Sequence, residues 1–175
     1  MAPTGAAAVN IEASTLHSAL KINIESSLRP LSIINLKIPQ ENLQNVRFAI
    51  IDEMSLLGCS LLKKVDLRLR EAKSKPNSPF GGLFLFLLGD LKQLPPFKDR
   101  AFYADGYNTE YAALGQQLFR QIDSSIILSS SFRQSPDQQP FRDLLDRLAN
   151  GQTTSDDWQL LMERKLDKLS NKDDF

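Results

Sequence analysis

Two apolar runs that stop abruptly at acidic residues set the fold of this chain. Val46-Arg47-Phe48-Ala49-Ile50-Ile51 is β-rich, of strand length, and ends at Asp52-Glu53. Leu83-Phe84-Leu85-Phe86-Leu87-Leu88 is apolar at every position and ends at Gly89-Asp90, followed by Leu91-Lys92-Gln93-Leu94-Pro95-Pro96. An unbroken run this short predicts a strand covered on both faces. Between the two, Leu61, Leu62, Val65, Leu69 and Ala72 recur at helical spacing. Lys63, Lys64, Asp66, Arg68, Arg70 and Glu71 lie on the other face. Strand, helix and strand in that order make a right-handed parallel crossover. The class is therefore α/β with a mostly parallel sheet.

The flanks extend this alternation. Met1 to Gly5 reads as the exit of a strand, Ala6 to Ile11 as a short helix and Thr15 to Leu20 as a second apolar piece. Residues 21–45 carry Pro30, Pro39 and several Asn and Ser, which predicts a connecting loop with little regular structure. Ser74 to Gly82, with two Pro and two Gly, ends the central helix. A helix is expected around Tyr111 to Ile122, then a further strand at Ser125 to Ser129. Helices are also expected over Gln138 to Asn150 and Ser155 to Leu169, the second capped by Thr154 or Ser155. Phe141 and Trp158 read as core anchors of these last two.

Composition narrows the function mainly by exclusion. Lys+Arg and Asp+Glu both number 21, so net charge gives no support for a nucleic-acid partner, although a local basic stripe still allows one. Cys59 is the single cysteine and reads as packed rather than reactive, with no disulfide framework or metal quartet. No stretch reaches the roughly 18 apolar residues of a membrane span, and the expected compartment is intracellular.

The chemistry gathers at the strand ends, where open parallel sheets bind their ligands. Asp52 suits Mg²⁺, a hard ion that favours carboxylate and water oxygens. Glu53 suits the removal of a proton from an attacking water. The plainer alternative is a pair of solvated acids capping a helix that begins near Ser55. Gln93 can contact a terminal phosphate, and the stiff Pro95-Pro96 pair can carry a shift at Gln93 into the next segment. Arg133, in Ser131-Phe132-Arg133-Gln134, can stabilise a transferring phosphoryl group or serve as a surface ion-pair partner. No G-x-x-x-x-G-K-[ST] phosphate loop lies within the 175 residues.

Taken together these residues resemble the superfamily-one, 5′-to-3′ DNA helicases of the petite-integration-frequency (Pif) class, in particular the Helitron-like branch. The similarity runs through Ala2-Pro-Thr-Gly-Ala-Ala7 with Asn10-Ile11, Thr15-Leu-His-Ser18, Ile50-Ile-Asp-Glu-Met-Ser55 and Pro79-Phe-Gly-Gly82. It continues at Gly89 to Pro96, Phe132-Arg-Gln134, Phe141-Arg-Asp-Leu-Leu145, Leu148, Gly151 and Asp157-Trp158. That ordered set covers nearly the whole chain.

The resemblance implies an incomplete RecA-like motor domain over residues 1–135 and a helical extension over 136–175. It implies ATP and Mg²⁺ as cofactors, with Asp52 and Glu53 as the Walker B pair. Gln93 would couple the γ-phosphate to a DNA-facing loop, and Arg133 would be the arginine of the fourth helicase motif. Pro3, Thr4, Gly5, Thr15 and His17 would touch single-stranded DNA. It further implies work in repair, recombination, telomere maintenance or transposition, in the nucleus or the mitochondrion.

Glu12 departs from the family by standing where Gly usually follows the Asn-Ile pair. The phosphate loop and the second motor domain are also outside this sequence. The chain is therefore expected to be a helicase fragment, inactive alone. Two rival classes are a clamp-loader-like ATPase, which would carry a polar sensor without the Pro pair, and a non-catalytic helicase remnant acting as an interaction module.

Overall fold

Parallel pairing of the two apolar runs organises the computed structural model, which describes residues 1–23, 28–106, 109–128 and 138–163. β1 (Phe48–Ile51) and β2 (Phe84–Leu87) pair with Phe48 opposite Phe84 and Ile51 opposite Leu87. Ahead of them come α1 (Gly5–Asn10), α2 (Leu16–Ala19) and α3 (Ile33–Leu43). The crossover helix is α4 (Cys59–Ala72), and α5 (Glu110–Phe119), α6 (Gln139–Ala149) and α7 (Ser155–Met162) follow β2. The chain divides into two compact units, one spanning Met1–Ser125 and the other starting at Ile126.

In the first unit, Ala49 and Ile51 share a core with Leu57, Leu62, Val65 and Leu69 of the following segment and with Leu83. At the outer edge of β1, the Asp52 N–H donates to the Met1 carbonyl, and Ala2 bridges Thr15 in parallel. This agrees with the strand exit read there. Helices α4 and α5 approach closely at Gly115, where a Cβ would lie 1.8 Å from the Cys59 carbonyl oxygen. Cys59 itself is buried, and desolvation pushes its thiol up to about 11, so it is packed and unreactive as expected.

The polar face of α4 is not a solvated face. Lys64, Asp66 and Arg68 are all buried. The Asp66 carboxylate accepts from Lys63 Nζ at 2.9 Å, Arg70 Nε at 2.8 Å and the Phe80 N–H at 2.7 Å. Phe80 and Gly81 both hold left-handed backbone (φ 51° and 65°) in the Pro79–Gly82 turn that delivers β2. Asp66 thus fastens the turn before β2 to the crossover helix.

Four sequence expectations need correction. Residues 33–43 are helical, because the Ser32 hydroxyl caps α3 through the Asn35 N–H and Pro39 removes only one interior bond. β2 is not covered on both faces: Leu83 is buried while Phe84, Phe86 and Leu88 are exposed. Residues 125–128 form no strand, and Ile126, Ile127 and Leu128 are exposed, with Ser129 outside the described residues. Trp158 and Phe141 are exposed at 64% and 45%, so they are not core anchors; Leu144 holds that place in the second unit. There Thr154 closes a capping box with Asp157 at the start of α7. The expected continuation of that helix to Leu169 lies outside the described residues beyond 163.

Candidate functional site

The ends of β1 and β2 are locked by two backbone bonds. The Leu88 N–H donates to the Ile51 carbonyl at 2.8 Å, and the Met54 N–H donates to the Leu88 carbonyl at 2.8 Å. This brings the chain after β2 so close to the turn after β1 that a Cβ on Gly89 would lie 2.7 Å from the Met54 nitrogen. Glycine is required there, at φ 145°.

Glu53 takes left-handed backbone, φ 57° and ψ 49°, to start the tight turn Met54–Leu56. That conformation costs a residue with a Cβ on the order of 1–2 kcal/mol. Its side chain makes no capping bond to the turn, so the reading of Glu53 as a helix-capping acid is not what the structure has. After Gly89, the Asp90 carboxylate accepts from the Lys92 N–H at 2.9 Å and its carbonyl accepts from the Gln93 N–H at 3.1 Å. The resulting turn carries exposed Gln93, and buried Pro96 anchors its far end.

Glu53 and Gln93 line one open groove of about 740 Å³, together with Ser55, Leu56, Lys92, Leu94 and Pro95. Its opposite wall is Thr4, Ala6, Ala7 and Asn10 of the α1 region. Asp52, half-buried, sits next to Glu53 but does not line the groove; nor do Pro3, Gly5, Thr15 and His17. The Thr4 and Thr15 hydroxyls accept from the Ala7 and Ser18 N–H groups and so cap α1 and α2. Burial lowers the His17 pKa, and the positive charge of Lys64 adds to that, leaving a neutral imidazole at pH 7. Arg133 lies outside the described residues.

Glu12 takes left-handed backbone after α1 at φ 50°, a conformation that glycine adopts without the strain a Cβ brings. Sequence reasoning did not single out Ser55, Asn10 and Lys92 as site residues. The D-E-x-S spacing was the available signal for Ser55, and the position of Asn10 at the end of α1 was the signal for that residue.

Among the described residues no group of three or more His, Cys, Asp or Glu could hold a metal ion. The adjacent Asp52 and Glu53 do fit Mg²⁺, which is held by one or two carboxylates and completes its shell with water and phosphate oxygens. A carboxylate pair beside a neutral carboxamide at parallel strand ends also fits a nucleotide's terminal phosphate.

A family model described as PIF1-like helicase matches residues 1–159. The chain belongs to the PIF1-like helicase family. It is 31% identical over 97% of its length to the ATP-dependent DNA helicase PIF1 of Saccharomyces cerevisiae, and 31% identical over 89% to RRM3 of the same yeast. Among solved structures, Pif1 from Bacteroides in complex with ADP-AlF3 and single-stranded DNA superposes with a TM-score of 0.69 at 30% identity over 99% of this chain. Pif1 from Candida albicans gives 0.68 at 30% identity over 94%. The chain spans 19% and 21% of the two yeast helicases and 41% and 37% of the two solved chains.

The PIF1-like assignment makes the fold RecA-like α/β and decides against a clamp-loader relative. It also gives the strand-end residues a common context: β1 and β2 of this PIF1-like chain bring Glu53 and Gln93 to one wall of the groove, with α1 opposite.

Proposed function

We propose that this chain forms part of the first motor domain of an ATP-dependent 5′-to-3′ DNA helicase, with residues 1–135 in the RecA-like portion and 136–175 as a helical extension. The observation that carries the reading is the shared groove of Glu53, Gln93 and Thr4 at the strand ends. Bound Mg²⁺–ATP supplies the electrophilic phosphorus and a cation that offsets its charge. Asp52 holds the ion, and Glu53 accepts the proton of the attacking water. Gln93 contacts the terminal phosphate and Arg133 offsets the charge that develops on it.

Because Gln93 and Thr4 face the same groove, loss of that phosphate contact is read out at the α1 wall. Thr4 contacts single-stranded DNA at that wall, and Pro3, Gly5, Thr15 and His17 follow the strand beside the groove, through hydroxyl, backbone and imidazole contacts. Among the described residues no helix is long and apolar enough to cross a membrane. A DNA motor of this kind works on nuclear DNA, with mitochondrial DNA as the second compartment, in repair, recombination, telomere maintenance or transposition.

The test is ATP hydrolysis by the complete gene product that carries these residues. Glu53→Gln should lower kcat by roughly 10²–10⁴ while nucleotide binding persists, because Asp52 is untouched. Lost affinity with intact turnover would overturn the assignment. Residues 1–175 alone should show no DNA-stimulated turnover, since they supply none of the backbone amides and lysine of a phosphate loop.

A further inference from the structure

The groove floor holds a hydroxyl that the fold has buried and left unpaired. Ser55 is 6% exposed, and its Oγ is occluded and has no hydrogen-bond partner among the described residues. An orphaned buried hydroxyl is costly, and an alanine would fill the same place without that cost. Packing therefore does not account for the serine. Beside it on the groove stands Gln93, whose carboxamide also has no hydrogen-bond partner among the described residues. A carboxamide offers both donors and an acceptor, and a hydroxyl can answer either. The segment carrying Gln93 is exposed from Gly89 to Pro95 and is held at its two ends, by the packing of Gly89 against Met54 and by buried Pro96. It can therefore shift between those ends without displacing a core residue.

We propose that Ser55 is a positioning residue whose hydroxyl takes up the Gln93 carboxamide when the Gly89–Pro95 loop closes over a terminal phosphate. This rests on the reading of Gln93 as the phosphate-contacting residue. Ser55 is then a latch held open in the ligand-free chain, and its unpaired hydroxyl is the cost of having two states. The turn Met54–Leu56 that carries it begins at Glu53, so the latch closes beside the proton-accepting carboxylate.

The experiment compares Ser55→Ala, Ser55→Thr, Gln93→Ala and the Ser55→Ala/Gln93→Ala pair in the complete gene product, with Glu53→Gln as control. Ser55→Ala should raise the ligand-free thermal midpoint by roughly 2–4 °C. It should also reduce stimulation of ATP hydrolysis by single-stranded DNA roughly tenfold at unchanged KM for ATP, about the loss expected of an uncoupled contact. Gln93→Ala should lose as much, the pair should lose no more than either single variant, and Ser55→Thr should retain stimulation. Full stimulation in Ser55→Ala, a lowered midpoint, or losses that multiply in the pair would overturn the latch. Turnover surviving Glu53→Gln would instead sink the underlying reading of the site.

Discussion

The two faces of the β1–β2 sheet differ sharply although the same two strands supply both. On one face Ala49, Ile51 and Leu83 are buried in a core with Leu62, Val65 and Leu69 of α4. On the other, Phe48, Ile50, Phe84 and Phe86 are each exposed by half or more, and Phe48 stacks on Phe84 with ring centroids 5.6 Å apart. Adjacent residues of one strand thus meet different surroundings because side chains alternate across a sheet. Apolar composition shows that a strand can be buried, but not which of its faces is. The candidate groove belongs to neither face: it lies past the carboxyl ends of the strands, where the backbone bonds that close β1 onto β2 hold the segments of Glu53 and Gln93.

The largest effect should come from the polar anchor on the covered side. Asp66→Ala leaves Lys63, Arg70 and the Phe80 N–H without their shared acceptor, and breaking a buried pair in this way costs about 3–5 kcal/mol. Chemical denaturation of the chain measures it; a loss comparable to a surface substitution would mean that the turn before β2 is held by other contacts. Burial pushes the Asp66 pKa upward, but hydrogen bonds from Arg70, Lys63 and the Phe80 N–H outweigh that and hold it below the usual carboxylate value. The sign follows: its stabilisation is present above the unfolded value of about 3.9 and is lost as pH falls toward the lower folded value. An Asp66→Asn variant should flatten that part of the acid-unfolding curve.

Ile51→Thr is the next largest. Ile51 is fully buried, and the change both removes apolar contact and introduces a hydroxyl with no partner at the end of β1. Together these cost about 2–4 kcal/mol. A far smaller shift in the denaturation midpoint would show that the core relaxes around the site and that the covered face is less tightly filled than it looks.

The contrast also explains what could be read from the sequence. β1, α4 and the strand-end motif were legible because apolar spacing and strand-terminating acids report local geometry. Residues 33–43 were not, since Ile33, Ile34 and Ile38 of α3 are exposed and share no buried stripe, and Pro39 reads as a breaker. The anchoring role of Asp66 was not legible either: its partners include Phe80, fourteen residues on, and only the tertiary fold brings that N–H to it. At the candidate site, Glu53 and Gln93 were singled out because both lie in polar segments that follow apolar runs of strand length. The hydroxyl of Ser55 went unnoticed because being buried and unpaired is a property of the packed groove.

The smallest effect should come from the residue next to Ile51. Ile50 is 51% exposed on the open face, so Ile50→Thr removes little buried area and keeps a β-branched side chain suited to a strand. The expected change is within about 0.5 kcal/mol, as for surface positions away from special contacts. The open face should matter for association instead. Phe48, Phe84 and Phe86 form an exposed apolar cluster beside a strand that, among the described residues, pairs only with β1. Surfaces of that kind promote self-association. Ile50→Thr combined with Phe86→Lys should therefore lower aggregation in light scattering while the unfolding midpoint barely moves. If the midpoint instead fell as far as in Ile51→Thr, the face would be packed in solution, and the asymmetry between the two sides of the sheet would not hold.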